Sequence, residues 1–209
     1  MTSITIIGAG NMGTAIAGIA AKGGTSVQIL ARDAEKSAAA AAAAGASVTA
    51  GTVGDGLSGD IVVLAVPYPA LTDVLARYSG QLDGKTVVDI TNPLDFATFD
   101  SLTVPADSSA AQEVAGRVPG ASVLKAFNTT LAATLNSGQV GGQPTTVLIA
   151  GDDGDAKAAL AGVLEAGGIT AVDAGALKRA RELEALGFLQ LTLAASEKIS
   201  WAGGFAVAK

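Results

Sequence analysis

The sequence predicts an α/β fold with a doubly wound, mainly parallel sheet and a C-terminal helical extension. Short β-branched runs alternate with alanine-rich stretches along the 209 residues, the pattern of repeated strand and helix units. The runs at 61–66 and 86–90 are apolar without alternation, as strands covered on both faces are. A glycine triplet falls directly between the first strand and the first helix.

Taken in order, strands are expected at 3–7, 26–31, 61–66, 86–90, 122–126, 145–150 and 170–173, with a weaker one near 47–49. Helices are expected at 11–21, 34–44, 69–78, 109–117, 131–135, 155–166 and 177–199. The alanine tract 38–44 looks low in complexity, but alanine is the best helix former and the tract sits where a crossover helix is due. Pro67 and Pro93 stop their strands. Leu183, Leu186, Leu189, Leu193 and Ile199 form a stripe on the terminal helix, most of it expected in the core. No linker separates two halves, so residues 1–209 read as a single domain whose residues 175–209 form the extension. An extension too apolar for one side of a small domain suits a homodimer.

The chain is 49% hydrophobic and can bury a full core without disulfides or a structural metal. It has no cysteine and no histidine, which excludes thiol nucleophiles, Cys/His zinc sites and histidine-based triads. Reactivity residing in bound cofactors is the more natural reading, with no metal site and no catalytic side chain named. A net charge of −6 argues against a general nucleic-acid surface. No apolar run reaches membrane-spanning length, and Met1-Thr2-Ser3 leads straight into a strand without a basic leader. The expectation is a cytoplasmic protein acting on a small molecule, with no membrane partner.

Gly8-Ala9-Gly10-Asn11-Met12-Gly13 has the G-x-G-x-x-G spacing in the strand-then-helix context that the Rossmann dinucleotide site requires. Gly8 permits the tight turn, Gly10 lets the backbone approach a pyrophosphate, and Gly13 allows helix to pack on strand. The first helical N–H groups then face the diphosphate. The second strand ends in Ala31-Arg32-Asp33, where an enzyme using NAD carries an acid for the ribose. Arg32 and Lys36, four residues apart, suit a 2′-phosphate and point to NADP(H). Asp33 leaves NAD open, and a solvated helix start would also explain the two bases.

Cofactor and substrate lie over the carboxyl ends of such strands. Val66-Pro67, Thr91-Asn92-Pro93 and Lys125-Ala126-Phe127-Asn128 close three of them. Thr91, Asn92, Lys125 and Asn128 carry polar groups suited either to nicotinamide or substrate contacts or to turn capping.

The combination of GAGNMG, ARDAEK, AVPY, DITNPL, VLKAFNT and LKRARELEALGFLQLTLA resembles the NADPH:coenzyme F-420 oxidoreductase family over nearly the whole chain. The cytosolic reductase domain of the STEAP metalloreductases is similar over the same span. The resemblance implies hydride transfer between NADP(H) and the deazaflavin coenzyme F-420. It implies that residues Ala9 to Met12 hold the diphosphate, Arg32 and Lys36 the 2′-phosphate, and Val66 and Ala126 the nicotinamide region. The deazaflavin would stack in a cleft roofed by the Asn92-Pro93 and Asn128 loops. Ala31 departs from the serine or threonine common before the arginine. For the acidic tail of the deazaflavin, Lys125, Lys178, Arg179 and Arg181 are candidates, or else a salt-bridged helix start. Two other readings stay open: a reductase of flavin, ferric chelate or a small carbonyl or imine, and an NADPH sensor without turnover.

Overall fold

The computed structural model describes residues 2–208; Met1, on which the reading of a leaderless start partly rests, and Lys209 lie outside them. The chain runs β1 (Ser3–Ile7), α1 (Asn11–Lys22), β2 (Ser26–Ala31), α2 (Ala34–Ala44), β3 (Val48–Thr52), β4 (Ile61–Leu64) and α3 (Leu71–Tyr78). It continues through β5 (Thr86–Asp89), α4 (Ala110–Arg117), β6 (Ser122–Lys125) and α5 (Ala132–Ser137). A small hairpin of β7 (Gln139–Val140) and β8 (Gln143–Pro144) precedes β9 (Thr146–Gly151), α6 (Gly154–Ala166), β10 (Thr170–Gly175) and α7 (Ala180–Ala195). The weak expectation near 47–49 is a full strand, β3, with all five residues paired to β2.

The main sheet has the order β10-β9-β6-β5-β4-β1-β2-β3. Its six strands from β3 to β6 are parallel and follow the doubly wound nucleotide-binding order, the chain crossing out from β1 in both directions. The joint between β6 and β9 is antiparallel. Between these strands the chain holds a six-residue helix and a hairpin of two two-residue strands, and it turns back. From β9, α6 makes an ordinary crossover to β10, which is parallel to β9.

Side chains alternate between two apolar layers. Ile4 and Ile6 of β1 and Val63 of β4 pack with Ile16 and Ile19 of α1 and Leu160 of α6. Ile7, Val62 and Leu64 point the other way, onto Leu71 and Leu75 of α3, Val114 of α4 and Ala180 of α7. Both faces of the central strands are covered, which explains their unbroken apolar sequence.

The terminal helix departs from expectation in two ways. Leu177–Arg179 form a 3-10 turn, and α7 ends at Ala195 rather than reaching Ile199. Only Leu183 of the leucine stripe is fully buried; Leu186, Leu193 and Ile199 are half-buried and Leu189 is 49% exposed. The buried face instead carries Glu184, Gly187, Gln190 and Ala194. Polar and small residues pack there because they meet loops and buried charge, not an apolar layer. No helix among the described residues is long and apolar enough to cross a membrane.

Candidate functional site

At the carboxyl end of β1 the chain makes a tight turn. Gly8 has φ of +126°, and a Cβ there would stand 2.0 Å from the carbonyl oxygen of Ala65. A Cβ on Gly13 would meet the Gly8 carbonyl at the same distance, so both positions are closed to any side chain. Gly10 differs, since nothing lies within 4 Å of a Cβ built there. The space above Gly10 is open, as backbone approach by a ligand demands. No side chain caps α1 and no acid sits in its first turn, leaving the first N–H groups for an anion.

From this turn a cleft of about 660 Å³ runs to the end of β2. It brings together eight of the predicted residues: Gly8, Ala9, Gly10, Ala31, Arg32, Lys36, Val66 and Pro67. Asn11, Met12 and Gly13 form the first turn of α1 beside it, with Asn11 exposed, Met12 half-buried and Gly13 buried. The Asp33 carboxylate is the N-cap of α2, accepting from the N–H groups of Glu35 at 2.9 Å and Lys36 at 3.3 Å. Arg32 and Lys36 take part in no ion pair among the described residues. A cleft with an open glycine, an uncapped helix and two unpaired cations fits a dinucleotide with an added phosphate.

The remaining predicted residues gather at the ends of β5 and β6, outside this cleft. Lys125 was expected to face a ligand, and the structure corrects that. Its ammonium is fully buried, 2.7 Å from Asp89 Oδ2 and 2.8 Å from Glu184 Oε1, and donates to the Thr91 carbonyl at 2.7 Å. All three N–H bonds are spent, so Lys125 also leaves the basic patch. Glu184 accepts in turn from the N–H groups of Ala110 and Ala111, capping α4 from 74 residues away. Burial pushes the Glu184 carboxyl above its ordinary range, against the pull of Lys125.

Thr91 and Asn128 likewise face inward rather than into the cleft, being 4% and 3% exposed. Asn128 Nδ2 donates to Asn92 Oδ1 and to the Leu183 carbonyl, while Asn92 Nδ2 returns a bond to the Asn128 carbonyl. This amide pair packs on Gly187 of α7, where a Cβ would come 2.3 Å from Asn92 Oδ1. Pro93 and Ala126 are buried beside it. Phe127 holds φ of +64°, a strained value for a bulky residue, and turns the chain into Asn128. Thr91 Oγ1 and Asn128 Oδ1 have no hydrogen-bond partner although both are buried. Lys178 and Arg181 are exposed at the start of α7, and Arg179 pairs with Glu182.

Sequence reasoning missed Arg77. It lines the cleft from α3 and forms no ion pair among the described residues. A base in the last turn of an amphipathic helix reads as an ordinary dipole partner, so only the fold reveals where it stands.

Residues 3–93 match the family model described as NADP oxidoreductase, coenzyme F420-dependent. The F420-dependent NADP reductase of Methanothermobacter thermautotrophicus is 33% identical over 219 residues, covering 97% of this chain and 93% of the relative. The chain belongs to the F420-dependent NADP reductase family. Members of this family are NADP-dependent oxidoreductases. Metalloreductase STEAP3 of Rattus norvegicus is 36% identical over 54% of the chain, which spans 22% of that protein's length. Among solved structures, one from Arthrobacter sp. FB24, whose own assignment as an F420-dependent NADP reductase is provisional, superposes with a TM-score of 0.86 at 26% identity, each chain covered completely. The family match to residue 93 takes in the glycine turn, Arg32, Lys36 and the Asn92-Pro93 corner.

Proposed function

We propose that the protein passes hydride directly between NADP(H) and the deazaflavin coenzyme F-420, in the cytoplasm. The two cofactors supply the hydride chemistry. In this reading Gly8, Gly10 and the start of α1 hold the diphosphate, and Arg32 and Lys36 hold the 2′-phosphate. Val66 and Pro67 form the wall beside the nicotinamide. The loops at Thr91–Pro93 and Asn128, packed on one another at the ends of β5 and β6, lie on the side where the deazaflavin would stack. The hydride passes directly between the aligned rings, the proton that the reduced deazaflavin also takes up comes from solvent, and no side chain is assigned as acid or base. The observation that carries the reading is the cleft that joins an open Gly10 to two unpaired cations, in a chain of this family.

The test is a spectrophotometric assay of NADPH oxidation with coenzyme F-420, with free flavin and ferric chelate as parallel acceptors and NADH as parallel donor. NADPH-selective bleaching of the deazaflavin band supports the reading. Turnover with flavin or ferric chelate alone moves the assignment to the acceptor class that the likeness to a metalloreductase favours. Turnover only with a carbonyl or imine substrate points to the same frame with another acceptor, and NADPH binding without any turnover points to a sensor.

We also propose a homodimer, supported by Leu189, Trp201 and Phe205, which are 49%, 55% and 43% exposed at the C-terminal end. A mass of one 20.3 kDa chain by light scattering overturns it.

A further inference from the structure

We infer that Arg77 is a further cofactor-binding residue that closes the adenine slot, lying against the face of the base rather than binding phosphate. The inference rests on the NADP(H) reading above and extends it. The cleft carries polar groups at Gly8–Gly10 and at Arg32 and Lys36, while Leu30, Val53, Ala70 and Val74 give it an apolar stretch of lining. An apolar wall of that kind suits a flat aromatic ring. Arg77 stands on the same wall, exposed and in no ion pair among the described residues. Arginine over an aromatic face gains from its planar cation and from the packing of its stem.

The wall is built in advance. The phenol oxygen of fully buried Tyr78, the residue after Arg77, accepts from the N–H of Gly54 at 2.7 Å. Gln81 accepts from the N–H of Leu57 at 3.0 Å. These two bonds tie the turn after β3, which carries Val53, to the end of α3, which carries Arg77. Gly54 has φ of +120°, and a Cβ there would stand 3.5 Å from the Arg77 guanidinium. The guanidinium therefore lies close over that turn. Arg32 and Lys36 line the same cleft at the end of β2 and the start of α2. Asp73, one turn before Arg77, lines the same wall and offers an acceptor to an exocyclic amine.

The experiment measures dissociation constants by calorimetry for NADP⁺, NAD⁺, 2′,5′-ADP and nicotinamide mononucleotide on the wild type, Arg77→Ala and Arg77→Met. Arg77→Ala is expected to weaken the three adenine ligands by the same factor, about three- to fivefold. It leaves the mononucleotide unchanged, and Arg77→Met, which keeps a stem against the ring, recovers part of the loss. A loss confined to NADP⁺ and 2′,5′-ADP, with Met no better than Ala, makes Arg77 a phosphate ligand and overturns the inference. Unchanged binding throughout overturns it too, while the wild type still binds NADP⁺. A wild type that binds no dinucleotide instead brings down the NADP(H) reading itself, and the inference with it. Circular dichroism checks the fold of both variants.

Discussion

Arg32 and Lys36 carry charges that no carboxylate among the described residues neutralises, while Asp33 is held by the backbone of α2. Removing one cation should therefore be felt only by a ligand with the extra phosphate. Arg32→Ala is expected to raise the KM for NADPH about tenfold and leave that for NADH unchanged, the size of one charge-assisted hydrogen bond. Initial rates with both donors measure it. Lys125 is the opposite kind of lysine, bound on every side. Lys125→Met leaves Asp89 and Glu184 buried without their counter-charge, and the expected cost is about 3–5 kcal/mol in urea unfolding. The two were not equally legible in the sequence. Arg32 is placed by local chemistry, a strand end followed by a cap. Lys125 also ends a strand, but its partners stand at Asp89 and Glu184, and nothing local announces that they converge. Arg77 hides for the same reason, since what makes it notable is Val53 and Gly54 from another part of the chain.

Among the elements, the glycine turn and the strands around it were readable because backbone geometry permits few sequences there. Gly8 and Gly13 each leave no room for a Cβ, and β4 is apolar because both of its faces are covered. The antiparallel joint between β6 and β9 was not readable, because an apolar run carries no mark of its direction. Nor was the inward face of α7. Its leucines look like a core stripe, yet the helix turns Glu184, Gly187 and Gln190 to the molecule. Gly187 sets how closely that helix approaches the strand-end loops. Gly187→Ala puts a methyl group against Asn92 and Asn128, and α7 must move away to admit it. A loss of about 1–3 kcal/mol is expected from thermal or urea unfolding.

For the whole molecule, several carboxylates sit below their ordinary range because the fold supplies donors. At Asp173 the hydrogen bond from Lys157 is the larger cause and the N–H of Gly175 the next. A carboxyl lowered in the folded state adds stability above its unfolded pKa, near 3.8, and loses that contribution as the pH falls. Asp173→Asn should flatten the acid limb of stability against pH by less than about 1 kcal/mol, since the Asp173 carboxylate is exposed. Urea titrations from neutral to acid pH follow it. The buried cluster around Lys125 reaches further. Asp89 belongs to β5, ahead of residues 95–108, a stretch without helix or named strand that leads to α4, whereas Lys125 and Glu184 follow it, and Glu184 also holds the start of α4. The covalent link there is thus doubled by a non-covalent clasp, reinforced by the β5 and β6 pairing. A cut beside Phe96, which is 57% exposed, should leave two pieces that elute together as one particle from a sizing column and part only in denaturant. The peptide bond at that place is dispensable to the assembled shape, and the clasp makes the chain, in effect, a heterodimer with a tether.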